Sequence, residues 1–426
     1  MKPFNAMSKE ELSKEKEALS AAFAAHKAKG LSLNMARGKP SNEQIALSMS
    51  MLDVLTSSSN CNAEGGADCR NYGELTGIVD AKKLFSAYLD VALDEIIIVG
   101  STSLTFMYDC MARAMLTGVL GSERPWMKEE TVKFLCPVPG YDRHFSICQF
   151  LGIEMVNIPT ANDGPDMDMI EKLVASDPQI KGMWCVPKYS NPSGITYSDK
   201  VIRRLAALKP AAKDFRVFCD NAYAVHEVYG DVPLLNPLAA FKEAGNPNML
   251  YMFGSVNKMT FPGAGVGFFA ASKENIAFTT QQLSMQAIGW DKLNMLRHVR
   301  FFKDIDGIRA HMKKHAALLR PKFDAVLQKM ETELAGRGAG EWIKPDGGYF
   351  ITFFAHSGCA KRIVSLCKEA GVIMTDAGAM YPYGKDPNDS CIRIAPSFPS
   401  LTDLGAAMEV FCTAVKLATV ERVLAS

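Results

Sequence analysis

Lys258 closes the run Tyr251-Met-Phe-Gly-Ser-Val-Asn-Lys258, just beyond a short apolar segment. A lysine amine in such a place can condense with an aldehyde and afterwards carry a proton, provided desolvation or a nearby cation keeps it neutral. Upstream, Asp220 ends the apolar stretch Phe215 to Cys219, Tyr223 follows three residues on, and Asn191 opens Asn-Pro-Ser-Gly. The carboxylate can hold a proton on a ring nitrogen, and the asparagine and tyrosine can donate to a ring oxygen. Gly100-Ser101-Thr102-Ser103 ends a β-branched run and opens a helical stretch. Amides there, with the hydroxyls of Ser101 and Thr102, can cradle a phosphate, although an ordinary hydroxyl cap would read the same way. Arg393 sits inside the apolar Ile392-Arg393-Ile394 and needs an anionic partner, either a ligand carboxylate or a structural acid.

Asparagine, aspartate, tyrosine and lysine in that order are what a pyridoxal phosphate enzyme requires, with Lys258 forming the Schiff base to the cofactor aldehyde. Positioning them is a matter of alternating elements. Short apolar runs at 96–100, 131–136, 153–158, 180–187, 215–220, 250–254 and 267–270 alternate with helical stretches, as at 103–117, 143–150 and 198–208. That pattern predicts a mostly parallel, helix-covered sheet, with sites at the C-terminal strand ends. Before it, 8–28 and 44–56 read as helices and 57–75 as an ordered loop. After it, 291–334 reads as one long amphipathic helix bent near Asp306-Gly307, followed by strands at 349–354, 371–374 and 391–394 and a closing helix at 403–424. Three segments are expected: 1–48, the N-terminal helix and part of a small domain; 49–305, the large cofactor domain; and 306–426, the small C-terminal α+β domain.

Composition narrows the classes. With 426 residues, 48% hydrophobic, the chain can bury a large core, and a net charge of +1 without any basic block argues against a nucleic-acid partner. No run of eighteen apolar residues is present, so no membrane span is expected. Eleven scattered cysteines with no Cys-x-x-Cys pair and no signal peptide point to a reducing cytoplasm and to no metal site. The 23 methionines, Met107, Met111 and Met115 among them, read as core filler.

From about residue 31 to 398, and most densely over 185–270, the sequence resembles the fold-type I pyridoxal phosphate enzymes, closest to class I aminotransferases of the atypical bacterial aspartate aminotransferase branch. The resemblance implies a PLP-dependent transferase-like α/β fold: a large domain with a mostly parallel seven-stranded sheet plus a smaller α+β domain. It implies that Ser255 contacts the cofactor phosphate, that Tyr141 of Pro139-Gly-Tyr-Asp stacks on the pyridine, and that Tyr72 reaches the phosphate of the neighbouring subunit in a homodimer. It makes Arg393 the clamp on the substrate α-carboxylate, with Gly38 beside it. Asn-Pro-Ser-Gly departs from the more usual Asn-Pro-Thr-Gly but keeps a hydroxyl.

One departure is larger. Many relatives carry a phosphate-pairing arginine eight residues after the lysine, whereas here Phe261 to Gly267 holds no cation, as in the atypical branch. The reaction implied is ping-pong transfer of the amino group of an L-amino acid, aspartate foremost, to a 2-oxo acid such as 2-oxoglutarate. Arg37, Lys39, Arg143 and Arg297 are the candidates for reading a distal carboxylate. If none points inward, the substrate is neutral or aromatic. A β-lyase or decarboxylase would use the same cofactor residues. A ligand-sensing domain of a transcription regulator would need a DNA-binding module, for which the roughly thirty residues before Leu31 are too few.

Overall fold

A computed structural model describes residues 2–425. Its strands are β1 (Leu33–Asn34), β2 (Ile96–Val99), β3 (Lys133–Val138), β4 (Glu154–Ala161), β5 (Gly164–Pro165), β6 (Ile180–Cys185), β7 (Arg216–Asp220), β8 (Leu250–Ser255) and β9 (Gly267–Ala271), then β10 (Gly340–Trp342), β11 (Ile351–Ala355), β12 (Val372–Ile373) and β13 (Cys391–Ile394). The main sheet runs β2-β9-β8-β7-β6-β3-β4, extended at its edge by the two-residue β5. β8, β7, β6, β3 and β4 are parallel, and β9 is antiparallel to both of its neighbours. The α/β fold with one large helix-covered sheet and a smaller α+β part is therefore the one expected.

The near-continuous apolar character of these strands follows from burial of both faces. Leu135, Met183, Val217 and Met252 pack into one core, while their neighbours Phe134, Trp184, Phe218 and Phe253 pack into another on the opposite face. On the second face Phe218 stacks on Phe253 at 5.6 Å and meets Phe134 edge-on at 5.5 Å. Each such ring, fully buried, contributes about 1.5–3 kcal/mol. Gly254 is required where it stands, because a Cβ would run into the Phe268 ring on the adjacent strand.

Register brings distant residues to one edge of the sheet. Asp220 lies opposite Phe253, two residues short of Ser255. Gly267 pairs with Ser255 on one side and Val99 on the other, which seats the start of helix Ser103–Thr117 next to the end of β8. A Cβ on Gly267 would lie 2.7 Å from the Val99 carbonyl and 3.0 Å from Thr102, so glycine allows this approach.

A third core gathers the chain's two ends. Leu12 and Leu19 of helix Lys9–Ala28 pack with Leu404, Val410, Phe411 and Val415 of helix Leu401–Ala425 and with the antiparallel sheet β10-β11-β13. Ser8 starts the first helix with a capping box to Glu11. Parallel pairing of β1 with β12 draws the 35–39 segment alongside residues 374–376.

Two helical expectations are revised. The 44–56 segment is a short helix, Asn42–Ala46, followed by a separate 3-10 turn at Met49–Asp53. The 291–334 segment is two helices, Lys292–Phe302 and Ile305–Leu334, broken at Lys303, whose φ is 69°. Asp304 caps the second through its side chain, and Gly307 is needed because a Cβ there would strike the Phe302 carbonyl. Among the described residues no helix is long and apolar enough to cross a membrane.

Candidate active site

Lys258 follows β8 in a short turn, and its Nζ lies 4.7 Å from the centre of the Tyr223 ring. The amine has no ion-pair partner among the described residues, so it is free to react. Its segment is held from below by its backbone. The Tyr349 hydroxyl donates to the Lys258 carbonyl at 3.2 Å, and Gln44 Nε2 donates to Tyr349 Oη at 3.1 Å. The same Gln44 nitrogen meets His315 Nδ1 at 3.1 Å, and His315 meets His311 at 3.1 Å. His311 contacts the Met259 carbonyl at 2.8 Å, and Thr260 Oγ1 meets His298 at 2.9 Å.

Burial drives these histidines toward the neutral form: His298 falls to about 4 and His315 to about 3, while His311 and His226 also fall below the ordinary imidazole value. A folded-state value below the unfolded one leaves stability intact above about pH 6.5 and removes it as the pH falls. Urea unfolding between pH 6.5 and 5 is therefore expected to show stability dropping by about 1.4 kcal/mol per pH unit for each proton taken up on unfolding. A flat profile across that window would contradict the neutral cluster.

Asp220 ends β7 with 4% of its surface exposed. One carboxylate oxygen, Oδ2, accepts from His144 Nε2 at 3.2 Å; the other, Oδ1, is buried with no partner. His144 is in turn stacked flat on Trp184 at 4.2 Å, and Tyr141 meets it edge-on at 4.9 Å. Tyr141 directly precedes helix Asp142–Phe150, and burial pushes its hydroxyl up to about 12 against the opposing charge of Lys258. Tyr223 is buried, and burial followed by the Asp220 charge pushes its hydroxyl above the ordinary range. Tyr141, His144, Trp184 and Asn191 line one tight cleft of 20 Å³. A roomier cavity of 890 Å³ lies around Lys188, Glu227 and Arg320. Neither cavity is lined by Lys258 or Arg393, so chemistry rather than cavity size locates the site.

Arg393, 6% exposed, projects from β13. Nη1 donates to Asn191 Oδ1 and to Asp142 Oδ1, each at 3.2 Å, and Nη2 to Thr375 Oγ1 at 3.4 Å. Its Nε is buried without a partner, and the guanidinium lies 4.6 Å from the Phe350 ring centre. Thr352, paired with Arg393 across the small sheet, donates to the Pro192 carbonyl at 2.7 Å, which fastens this strand to the Asn191 loop. Gly38 fits against Phe350, where a Cβ would come within 2.5 Å of the ring. Arg37 beside it is exposed, and its guanidinium has no ion-pair partner among the described residues. Lys39 lies over the Phe398 ring at 3.8 Å, and Arg143 is exposed. Arg297 is half-buried with an unpartnered Nε.

At the other end of the site, Thr102 caps helix Ser103–Thr117 by accepting from the Thr105 amide at 3.0 Å. Ser101 is exposed, and Ser255 is 9% exposed at the end of β8. Tyr72 is 83% exposed.

Sequence reasoning missed His144, Asp142, Thr375, Tyr349 and Gln44. Only His144 carried a signal, three residues beyond Tyr141 at the start of a helix.

A lysine amine and a strand-end carboxylate at one edge of a largely parallel sheet, together with an arginine carried on the small antiparallel sheet, define a fold-type I pyridoxal phosphate aminotransferase. The chain belongs to the aspartate amino-transferase family, whose profile matches residues 7–426. It is 45% identical over 396 residues to the aspartate aminotransferase of Corynebacterium glutamicum, covering 93% of this chain and 91% of that one. A protein of Mycolicibacterium smegmatis is 46% identical over 99% of both chains. The crystal structure of an aspartate transaminase from Corynebacterium glutamicum superposes with a TM-score of 0.96 at 42% identity over 99% of each chain. Family membership implies pyridoxal phosphate as cofactor, with amino acids and 2-oxo acids as substrates.

Proposed function

We propose that this protein transfers the amino group of L-aspartate to 2-oxoglutarate, with pyridoxal 5'-phosphate carried on Lys258. The observation that carries the reading is the buried, unpartnered Oδ1 of Asp220 at the same strand edge as a free lysine amine. An ionised carboxylate left bare in the interior is costly, and a protonated ring nitrogen supplies the missing donor. The relatives named for aspartate support the donor.

In this reading the cofactor, when bound, would supply an electron sink for the reacting amino acid. The chain's residues do the rest. Lys258 would take the proton from Cα and return it to the cofactor carbon on the far side of the amino nitrogen. Asp220, kept in place by His144, holds the ring nitrogen protonated. Tyr223, Asn191 and Tyr141 would hold the ring, the first two by donating to its oxygen. Ser101, Thr102 and Ser255, with the first amides of helix Ser103–Thr117, take the phosphate, the helix start standing in for the arginine absent after Lys258. Arg393 clamps the α-carboxylate, with Gly38 giving it room.

For the distal carboxylate Arg37 is the best placed. The carbonyl of its neighbour Ala36 accepts from Thr375, which itself holds Arg393, and the Arg37 guanidinium is uncommitted. We assign the domains as 1–48 with 306–426 against 49–305. Tyr72, Met285 and Ile288 are strongly exposed. Their two segments are tied together by Lys292 Nζ on the Gly73 carbonyl at 3.1 Å and Trp290 Nε1 on the Leu75 carbonyl at 3.0 Å. That patch is the proposed homodimer face, through which Tyr72 would reach the partner's cofactor phosphate. The eleven free thiols fit the cytoplasm as location.

The test is chemical. L-Aspartate with 2-oxoglutarate should yield oxaloacetate and glutamate in equal amounts, and Arg37→Ala should lower kcat/KM for aspartate by about 100-fold while leaving alanine within a few-fold, the size expected for losing a charged contact. Pyruvate and ammonia from a β-substituted amino acid, without glutamate, would make it a lyase.

A further inference from the structure

The acid beside the clamp is unexplained by the reaction. Asp142 opens helix Asp142–Phe150, and an acid in a first turn is ordinarily accounted for by the helix dipole. That account does not explain why its Oδ1 lies 3.2 Å from Nη1 of Arg393, 251 residues away in the chain. Arg393 has three hydrogen-bond partners among the described residues, Asn191, Thr375 and Asp142, and of these Asp142 alone is charged. The Asp142 side chain keeps 32% of its surface in solvent, whereas that of Arg393 keeps 7%. One partner is thus fixed, and the other can turn to water.

We infer that Asp142 is a positioning residue that weakens the site's hold on carboxylates by sharing the Arg393 guanidinium with the substrate. The inference rests on the reading of Arg393 as the α-carboxylate clamp. Two carboxylates at one guanidinium repel each other and divide its charge, so each is held less tightly than it would be alone. The unpartnered Nε and the long Nη2–Thr375 contact leave an edge of the fork open for the second carboxylate. Amino acid and oxo acid carry the same α-carboxylate, so the effect falls on both half-reactions alike. A site that must release one acid before admitting the next gains from a resident competitor, because release of tightly held product limits turnover.

The experiment compares Asp142→Asn and Arg393→Ala with the parent protein, all loaded with cofactor. Asparagine keeps the size and suits a helix start, and Asp142→Ser serves if it fails to fold. Succinate, an unreactive dicarboxylate, is titrated by calorimetry, and KM is measured for donor and acceptor. Asp142→Asn should bind succinate about tenfold more tightly, within the range of coupling between two groups in one network. Its KM values for amino acid and oxo acid should fall together, by more than any change in kcat. Arg393→Ala should abolish succinate binding. If it does, but Asp142→Asn binds no better or worse, the inference fails and the clamp stands. If Arg393→Ala binds succinate as before, the clamp itself is wrong and the inference falls with it.

Discussion

Lys258→Ala is expected to fold and to lose amino-group transfer by about 10⁴-fold or more, the upper range for a positioned acid–base group. Folding should survive because the neighbourhood holds this residue by its main chain: Tyr349 donates to its carbonyl, and that bond does not depend on the side chain. The lost ammonium leaves behind only the face of the Tyr223 ring, a contact that is replaceable by water. Two measurements decide the matter. After cofactor loading and borohydride reduction, mass spectrometry should find the adduct on Lys258 in the parent protein and nowhere in the variant. Steady-state transfer should fall while the melting temperature without cofactor stays within a few degrees. An adduct on another lysine, or transfer within tenfold of the parent, would remove Lys258 from the centre of the mechanism.

The second large effect belongs to Asp220, and it has two opposite signs. Asp220→Asn keeps the size and an oxygen to accept from His144, but removes the charge. Transfer with saturating cofactor should fall by about 10³-fold, because the electrostatic support of the ring nitrogen is gone. Without cofactor the variant should melt at or above the parent's temperature, since the parent must bury a carboxylate oxygen that nothing among the described residues satisfies. The stabilisation gained on loading should shrink correspondingly. A variant that is less stable without cofactor would mean that Asp220 serves the fold rather than the cofactor.

How far the sequence led depends on whether a residue acts through its neighbours in the chain. Helix Ser103–Thr117 and strand Cys391–Ile394 were legible to the residue, because hydrophobic periodicity and a hydroxyl cap are local properties. Arg393 could be picked out as a charge set inside an apolar strand, whereas Lys258 and Asp220 stood out through their order after Asn191 and through the resemblance to a known family. The break at Lys303 was not legible. The amphipathic pattern runs through it, and the turn depends on Gly307 packing against the Phe302 carbonyl. His311, His315, Gln44 and Tyr349 had no signature at all, since they meet only when three separate segments close beneath Lys258. Asp142 was read only as part of the Tyr141 loop; it opens a helix, and its partner Arg393 comes from a strand 251 residues later.

The packing of helix Lys9–Ala28 against helix Leu401–Ala425 has a consequence for how the molecule is made. A ribosome releases the first of these helices hundreds of residues before the second exists. The central sheet, whose strands all lie between 96 and 271, can assemble meanwhile, whereas the early helix must wait with Leu12 and Leu19 exposed. Closing that contact joins segments far apart in sequence, so it comes late. Nascent chains stalled short of the final helix should therefore hold a finished sheet beside an unclosed, sticky amphipathic arm. That arm is the segment a chaperone would be expected to guard during synthesis.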